Sequence, residues 1–465
     1  MYLLSNPRLR AALLILHFAF LTLHSLVACN AAPETTPAPQ FEPSPADTST
    51  LAPTFTPRPE ATATLEPSAT LMPEPTATLE PTATPEPTAT PLPTSTPEPS
   101  PTPAPSFPDF LASPPLRDPS PARVTSGKSY PPGAYEFIHD QFSVPAPPGR
   151  VPDDYVATLP GVEPGQCPLS GQPAPEDIAS RRPINVRIDN SPQGRPQAGL
   201  ENAEVIWETL AEGGVTRFTA TYHCQLPGTV GPIRSARLID LHLTPMLQAW
   251  LVHVGASQPV TDMIWASTFA DRDIDEWKGD PAFYRIDQAP VGWLRTYSNG
   301  DLIQSVIASH AGVPPPTPLR GWTFSDEPPP GGAGAAQSIN IPYPSPVNYH
   351  YDPDTGRYFR YQGQNPHITQ GGTHLAVDNV IVLYSEMVVT PIVEDSLGNR
   401  SLHFDLQGQG DALLFRDGSV WQAQWVREGE NTLIRVVDGS GQPIPLSPGQ
   451  TWVQIVPADY LLHGS

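Results

Sequence analysis

Hydrophobic and polar positions change their pattern several times along this 465-residue chain. A predominantly apolar run, AALLILHFAFLTLHSLVA, follows two arginines near the start, and a long stretch without apolar periodicity comes after it. Short alternating segments begin at PINVRIDN (183–190), as expected of β-strands. The pattern therefore predicts a folded body of roughly 300 residues behind an apolar leader and an extended region.

The first part of the body mixes strand and helix signals. EVIWETLA and VTRFTATYHC flank two glycines, which predicts a two-residue β-hairpin. SARLIDLHLTPMLQAWL has helical spacing that Pro245 should interrupt, and LVHVGAS is typical of a strand that leads into the helix PVTDMIWAS. We therefore expect an α+β fold over residues 125–325, with a mixed sheet and packed helices.

A Pro/Gly-rich linker at residues 326–338 separates a second part of different character. YHYDPDTGRYFRY predicts a hairpin around its Asp and Gly residues, and further alternating segments follow between Gly, Asp and Asn turns. This pattern predicts an antiparallel, β-rich domain over residues 339–465.

The N-terminal apolar run is about 18 residues long, enough to compete as a membrane-spanning helix. Its end, LVAC, resembles the lipobox of bacterial lipoproteins, in which the cysteine is lipidated and the preceding peptide is removed. We predict a signal peptide over residues 1–29 and lipidation at Cys29; an uncleaved anchor helix is the alternative. Both interpretations export the rest of the chain, and lipidation would hold it on the outer face of the cell membrane.

Residues 30–124 are dominated by Pro, Thr, Ala, Ser and Glu and contain the repeats EPTATL and EPTATP. Such a composition cannot bury a core, so we predict a disordered linker with polyproline II character. The chain carries a net charge of −22; residues 1–32 contribute +2 and residues 33–110 contribute −9, so residues 111–465 carry −15. A negative body argues against nucleic acid and against anionic lipid as partners.

Two cysteines remain beyond the linker, Cys167 and Cys224. In an exported domain two cysteines are expected to form a disulfide, although two buried free thiols are the alternative.

The hairpin around the glycine pair carries ionised residues. A two-residue turn gives paired positions whose numbers sum to 427, with Trp207 opposite Ala220. This register places Glu208, Glu212 and Arg217 on one face, among apolar residues. Such a mixed face suits a cleft floor or an interface.

The stretch VGPIRSAR (230–237) sets Arg234 and Arg237 around Ser235, a good N-cap for a helix beginning at Ala236. Two arginines at a helix N-terminus suit a bound phosphate or carboxylate. The alternative is that acidic side chains pair with them and lock the sheet to the helix. The predicted ligand-binding set is Asp189, Asn190, Arg195, Glu208, Glu212, Arg217, Arg234 and Arg237.

Other chemistry is poorly supported. A trio of Ser235, His253 and Asp189 lacks a nucleophile-elbow motif, and His253 is expected to be a hydrogen-bonded core histidine. DRDIDE (271–276) has the alternating acids of a calcium loop without its turn glycine, and no Cys/His spacing suits zinc. We therefore predict no catalytic residue, no metal and no cofactor.

Several separated segments resemble one family. RPINVRIDNSPQGRPQAGLENAEVIWETLAEGGVTRFTATYH, VGPIRSAR and LVHVGAS resemble the YerB-like lipoproteins, whose N-terminal domain has no known function. The stretch from YHYDPDTGRYFRY to PLSPGQTWVQIVP resembles the C-terminal domain of that family, so the similarity covers about residues 165–457. The resemblance implies an exported lipoprotein with an α+β N-terminal domain and no established reaction. One departure is Val291, where relatives often have histidine.

Together these features favour a lipid-anchored envelope protein with a binding or scaffolding role. Its partner would be an anionic or polar envelope ligand, such as a cell-wall fragment, or another envelope protein. The alternative is a cell-wall hydrolase that uses Glu208 or Glu212 as acid/base.

Overall fold

Alternating apolar residues build most of the described chain into β-strands. The computed structural model describes residues 165–464 apart from 311, 318, 321 and 333–335. The predicted signal peptide, Cys29 and the linker at residues 30–124 lie outside these residues. Below, the N-terminal segment means residues 165–325 and the C-terminal segment means residues 339–464.

The N-terminal segment contains seven strands and three α-helices among its described residues. The strands are β1 (Ile184–Asp189), β2 (Val205–Leu210), β3 (Thr216–Tyr222), β4 (Trp250–His253), β5 (Asp273–Asp275), β6 (Tyr284–Arg285) and β7 (Thr296–Tyr297). The helices are α1 (Asp240–Met246), α2 (Gln258–Trp265) and α3 (Gly300–Ser309).

The C-terminal segment contributes only strands to the described structure, apart from turns. They are β8 (Ser338–Ile341), β9 (Val347–Asp352), β10 (Arg357–Gln362), β11 (Asn365–Pro366), β12 (Ala376–Val377), β13 (Asn379–Ser385), β14 (Met387–Val393), β15 (Arg400–Phe404), β16 (Gly408–Arg416), β17 (Ser419–Arg427), β18 (Arg435–Val437), β19 (Thr451–Pro457) and β20 (His463–Gly464).

One ten-stranded sheet takes strands from both segments, in the order β18-β17-β16-β13-β19-β2-β3-β1-β4-β5. The seam between the segments is the parallel pair β2–β19, in which Glu208 lies opposite Gln454. A second sheet, β11-β10-β9-β8-β20 with β12 paired to β10, belongs to the C-terminal segment. Both faces of the central strands are buried, so the apolar core continues across the seam.

The fold is β-rich, and the sequence-based prediction of an α+β fold is confirmed only in part. The large sheet is mixed, since it contains parallel and antiparallel pairs. The predicted hairpin YHYDPDTGRYFRY is the β9–β10 pair, and α2 begins beside Pro259 as expected. However, the long predicted helix ends after seven residues with Pro245 inside it, and Trp250 already lies in β4. No helix within the described residues is long and apolar enough to cross a membrane.

The predicted register of the β2–β3 hairpin is wrong by one residue. Paired numbers sum to 426, and Trp207 lies opposite Thr219. The cause is the turn, because Gly213 and Gly214 both adopt φ of 74° within a three-residue 3₁₀ turn. A one-residue slip exchanges the faces of one strand relative to the other.

Cys167 and Cys224 form a disulfide, as expected. It joins the start of the described chain to the residues that follow β3, across a separation of 57 residues. Glu204 holds the same region, because its carboxylate accepts hydrogen bonds from the backbone N–H groups of Cys224 and Gln225, each at 2.9 Å.

Glu208 is the centre of the contact between the two sheets and is fully buried. Its carboxylate accepts hydrogen bonds from Thr216 (2.7 Å), from the indole of Trp452 (2.9 Å) and from Gln454 (2.9 Å). Arg360 of β10 donates to both carboxylate oxygens at 3.0 Å. This ion pair, fully enclosed on both sides, connects the two segments.

Arg360 is held in place by aromatic rings and a histidine as well as by Glu208. Its guanidinium carbon lies 4.6 Å from the centroid of the Trp452 ring and 5.5 Å from that of Phe218. It also contacts His367, whose other ring nitrogen lies 2.8 Å from Gln197 Oε1. The cation is therefore fixed between aromatic faces that reinforce its position.

Loss of the Glu208 carboxylate should destabilise the whole fold. Glu208→Ala would leave the Arg360 cation buried without a counter-charge, so we expect the free energy of unfolding to fall by about 3–5 kcal/mol. Chemical denaturation of the full chain measures this change. Glu327→Gln, at an exposed position, is the control and should change stability by less than about 0.5 kcal/mol. Equal unfolding midpoints for the two variants would contradict the assigned role of Glu208.

Removal of the disulfide should lower stability through the unfolded chain. For the Cys167→Ser/Cys224→Ser variant we expect a loss of about 2–5 kcal/mol, because the unfolded chain regains the freedom of a long closed loop. Thermal melting with and without reductant measures it. Reductant should lower the melting temperature of the natural chain and leave that of the double variant unchanged; a natural chain that ignores reductant would disprove the prediction.

Candidate functional site

The predicted anion-binding stretch lies between two parallel strands of the large sheet. β1 and β4 pair as far as Val186 and Val252 and then diverge. Residues 232–236, here called the wedge, fill the gap in extended form, and the backbone N–H of Arg234 donates to Arg187 O of β1 at 2.9 Å. On the other side Val254 N donates to Arg234 O at 3.1 Å. The wedge therefore reaches the carboxyl ends of parallel strands, where open α/β sheets bind their ligands.

The predicted helix start at Ala236 is wrong. Ala236 N donates to Gly255 O at 3.0 Å, so the wedge continues the sheet instead of turning into a helix. The first helix, α1, begins at Asp240, whose carboxylate accepts from Arg237 N at 2.7 Å. Ser235 is therefore not a helix cap, and its two neighbouring arginines are positioned by sheet pairing.

Arg234 lies at the open end of the wedge. Its side chain keeps 21% exposure, and its Nε lies 3.3 Å from Asp189 Oδ2 without forming a hydrogen bond. Nη1 donates to the backbone oxygen of Trp293 at 3.3 Å. Asp189 is partly used elsewhere, since its Oδ1 accepts from Ser191 N at 2.7 Å. Arg234 thus retains donor capacity toward solvent.

Arg237 and Arg217 are both paired with an acidic side chain inside the protein. Arg237 Nε donates to Glu212 Oε2 at 2.8 Å, its Nη2 contacts Oε1, and Arg217 Nη2 lies 2.7 Å from the same Oε1. Burial alone would raise the pKa of the Glu212 carboxyl, but hydrogen bonding from Arg237 and the charge of Arg217 lower it to about 2. Burial, together with repulsion by Arg237, lowers the pKa of Arg217 to about 9. The ion-pair alternative to ligand binding therefore holds for Arg237, and Arg234 also lies within ion-pair distance, 3.3 Å, of Asp189.

Further charges complete this cluster on the face opposite Glu208. Arg187 Nε lies 3.2 Å from Asp240 Oδ2 in a fully buried pair. Glu394, which follows β14 in the C-terminal segment, lies 3.4 Å from Arg237 Nε. The sequence indicated neither contact, because both partners come from elements distant along the chain.

Glu208 and Glu212 do not form a common site. Glu208 lies in β2 and faces Arg360, whereas Glu212 lies in the turn after β2, outside the strand alternation, and joins the arginines on the other face of the sheet. Since Glu208 is enclosed and Glu212 is held by two arginines, the geometry gives no support to an acid/base pair acting on a substrate. The predicted hydrolase chemistry has no site here.

Asn190 and Arg195 complete the predicted set. The Asn190 amide donates to Thr216 Oγ1 at 2.7 Å and accepts from Gln197 Nε2 at 3.0 Å, so it belongs to the buried network around Glu208. Arg195 is half-buried and donates to Asn190 O at 3.0 Å. Of the eight predicted residues, only Arg195 and Arg234 keep partial exposure, and Asp189 is buried beside Arg234.

His253 is a core histidine, as expected. Its Nδ1 lies 2.8 Å from Gly255 O and its Nε2 lies 2.7 Å from Asp273 Oδ1, so it makes no contact with Ser235. Both partners are acceptors, and burial opposed by hydrogen bonding to Asp273 leaves the pKa of His253 raised. Among residues 165–464 as described, no group of three or more His, Cys, Asp or Glu side chains is placed to hold a metal ion.

The sequence-based prediction missed three exposed tryptophans, of which Trp277 and Trp293 lie beside the wedge. Trp265, Trp277 and Trp293 are 54%, 69% and 57% exposed. Trp277 stands in the polar stretch DEWKGD, which was an available signal for its exposure. Trp293 lies in a turn between β6 and β7 beside Gly292 and Leu294, where no such signal exists. Contiguous exposed apolar area, more than a single exposed tryptophan, marks a surface that contacts something else.

Comparison with known proteins places the chain in a family. Residues 169–311 match the family described as "Protein of unknown function (DUF3048) N-terminal domain", and residues 339–453 match the C-terminal domain of the same family. A relative from Bacillus subtilis (strain 168), named "Putative lipoprotein YerB", is 30% identical over 301 residues, which cover 63% of this chain and 86% of the relative.

A solved structure agrees with this match. The crystal structure of the YerB protein from Bacillus subtilis is similar with a TM-score of 0.53 and 28% identity, and the match covers 63% of this chain and 96% of the solved chain. Sequence and structure thus agree across both matched regions, and this chain belongs to the YerB-like family, which is defined by paired N- and C-terminal domains of unknown function.

Proposed function

We propose that this chain is an exported protein of the bacterial cell envelope, lipid-anchored at Cys29, that binds an anionic envelope ligand through Arg234. Support for the anchor comes from LVAC at the end of the apolar leader and from the name of the Bacillus subtilis relative. The Cys167–Cys224 disulfide fits an oxidising compartment outside the cytoplasm.

The observation that carries the binding role is the position of Arg234. It is the one partly open arginine among the four that gather around the wedge within the described residues, since Arg187, Arg217 and Arg237 are buried against acids. Its Nε is buried 3.3 Å from Asp189 Oδ2, so a ligand carboxylate or phosphate would bind the part of the Arg234 side chain that remains exposed.

The surrounding charges fit a recognition role. The buried acids Glu212 and Asp240 neutralise the neighbouring arginines, so the cluster does not form a broad basic surface. With −15 on residues 111–465, general attraction of polyanions is disfavoured. A ligand must therefore present its negative group to Arg234 in a defined geometry.

Substitution of Arg234 should weaken binding to the cell wall. We expect Arg234→Gln in the full chain to lower affinity for purified wall sacculi by about tenfold, the worth of one charge-assisted hydrogen bond. Co-sedimentation across protein concentrations measures the affinity, and raised salt should narrow the difference between variant and natural chain.

Arg320→Gln, at an exposed arginine away from the wedge, is the matched control and should bind as the natural chain does. Circular dichroism of both variants tests that the fold is intact. Identical affinity of the Arg234→Gln variant and the natural chain would rule out the proposed site.

A further inference from the structure

Three exposed tryptophans lie in the N-terminal segment, and two of them, Trp277 and Trp293, are connected to the proposed anion site by a defined contact. Arg234 Nη1 donates to Trp293 O, which places Trp293 on one side. On the other side Trp277 covers Gly255, whose carbonyl binds the wedge. Trp265, at the end of α2, lies 6.0 Å from the Lys278 ammonium.

Trp277 is held flat by the sheet beneath it. β4 and β5 are parallel with His253 opposite Asp275, so the same offset sets Gly255 beside Trp277 just beyond the strand ends. A Cβ at Gly255 would lie 2.3 Å from the indole ring, so only glycine lets the ring rest on the backbone. Asp275 fixes both parts, because its Oδ1 accepts from Gly255 N at 2.7 Å and from Trp277 N at 3.0 Å.

One face of the Trp277 ring is therefore covered and the other is presented to solvent in a fixed orientation. A ring immobilised in this way has already lost its conformational freedom, so a planar ligand face can stack on it at low entropic cost. The exposed side chain of Trp293, whose backbone oxygen binds Arg234, adds a second apolar face.

The groups between the tryptophans decide what kind of ligand fits. Lys278, Glu276 and Arg285 interrupt the apolar faces with charged groups, and Lys278 and Arg285 already have partner acids. A surface of this kind does not offer the continuous apolar area that a membrane or a stable protein partner requires. It matches a ligand in which flat apolar faces alternate with hydroxyl and amide edges, and a pyranose chain has this character.

We propose that Trp277, Trp293 and Arg234 form one binding surface for an acidic glycan strand, with sugar rings stacked on the two tryptophans and a carboxylate bound by Arg234. This inference rests on the proposed function, since Arg234 is the anion site in both. It adds the class of ligand: an N-acetylated polysaccharide that carries carboxylates at intervals along the strand.

Two probes separate stacking from charge recognition. The first is cell-wall glycan freed of its peptides by an amidase, in which alternate sugars carry a lactyl carboxylate. The second is a neutral N-acetylglucosamine hexamer, which has the same type of ring without the acid. Calorimetry with the full chain gives the affinity, and protection of tryptophan fluorescence from acrylamide reports occupancy of the exposed rings.

Each tryptophan variant should bind both probes more weakly than the natural chain does. We expect Trp277→Ala and Trp293→Ala to bind the acidic strand and the neutral hexamer about fivefold more weakly, as loss of one stacked ring implies, while Trp277→Phe keeps part of the affinity. Arg234→Gln should lower the affinity for the acidic strand and leave the affinity for the neutral hexamer unchanged. Leu397→Ala, at a residue 85% exposed on the turn between β14 and β15, is the matched control for loss of an exposed apolar side chain.

The outcomes separate the two proposals. If Arg234→Gln no longer binds the acidic strand while the tryptophan variants bind as well as Leu397→Ala does, the proposed anion site is supported and the proposed glycan surface is wrong. If the natural chain binds neither probe, or if phosphatidylglycerol vesicles alone protect its tryptophans, the glycan surface is also wrong, and the sacculus experiment still decides the role of Arg234. Melting temperatures within a few degrees of the natural chain show that each variant is folded.

Discussion

The buried ion pair between Glu208 and Arg360 is the constraint on which the architecture depends. A carboxylate removed from water costs several kcal/mol unless its hydrogen-bonding capacity is filled, and Glu208 receives donors from β3, β10 and β19. These strands come from both segments. The pair therefore stabilises the seam only when the N-terminal strands, β19 and the second sheet are all in place, which makes their assembly interdependent.

Buried charges are also paired on the opposite face of the sheet, but there one arginine, Arg234, remains partly exposed. That face buries more arginines than an ordinary apolar core does, and Glu212, Asp240 and Glu394 neutralise their charges. Arginine suits this arrangement because its planar guanidinium binds carboxylates bidentately and keeps its charge when buried. The closed part of the cluster fixes the wedge, and the fixed wedge presents Arg234 at the strand ends. A rigid support of this kind is what a recognition residue needs.

Particular residues show where sequence reasoning succeeded and where it failed. Alternation predicted β1, the hairpin β2–β3 and the hairpin β9–β10, because a two-residue periodicity is a local property. The predicted helix start failed at Ala236, where extended pairing with Gly255 replaced the expected helix. Helical spacing was present in that stretch, but the gap between β1 and β4 offered the wedge backbone partners on both sides, and tertiary pairing overrode local preference.

The amino-acid sequence by itself determined the apolar leader with its cysteine, the acidic Pro-rich stretch, the disulfide partners and the residue types around the wedge. It identified Arg234, Arg237 and Glu212 as charged residues near the wedge. It did not indicate Arg187, Asp240 or Glu394, which belong to the same cluster. Only the tertiary structure decided their pairing. One extra residue in the Gly213-Gly214 turn set which face each side chain takes, and the packing of distant strands enclosed Glu208 with Arg360. The same packing left Arg234 beside exposed tryptophans, because burial and partnership depend on long-range contacts that local sequence does not encode.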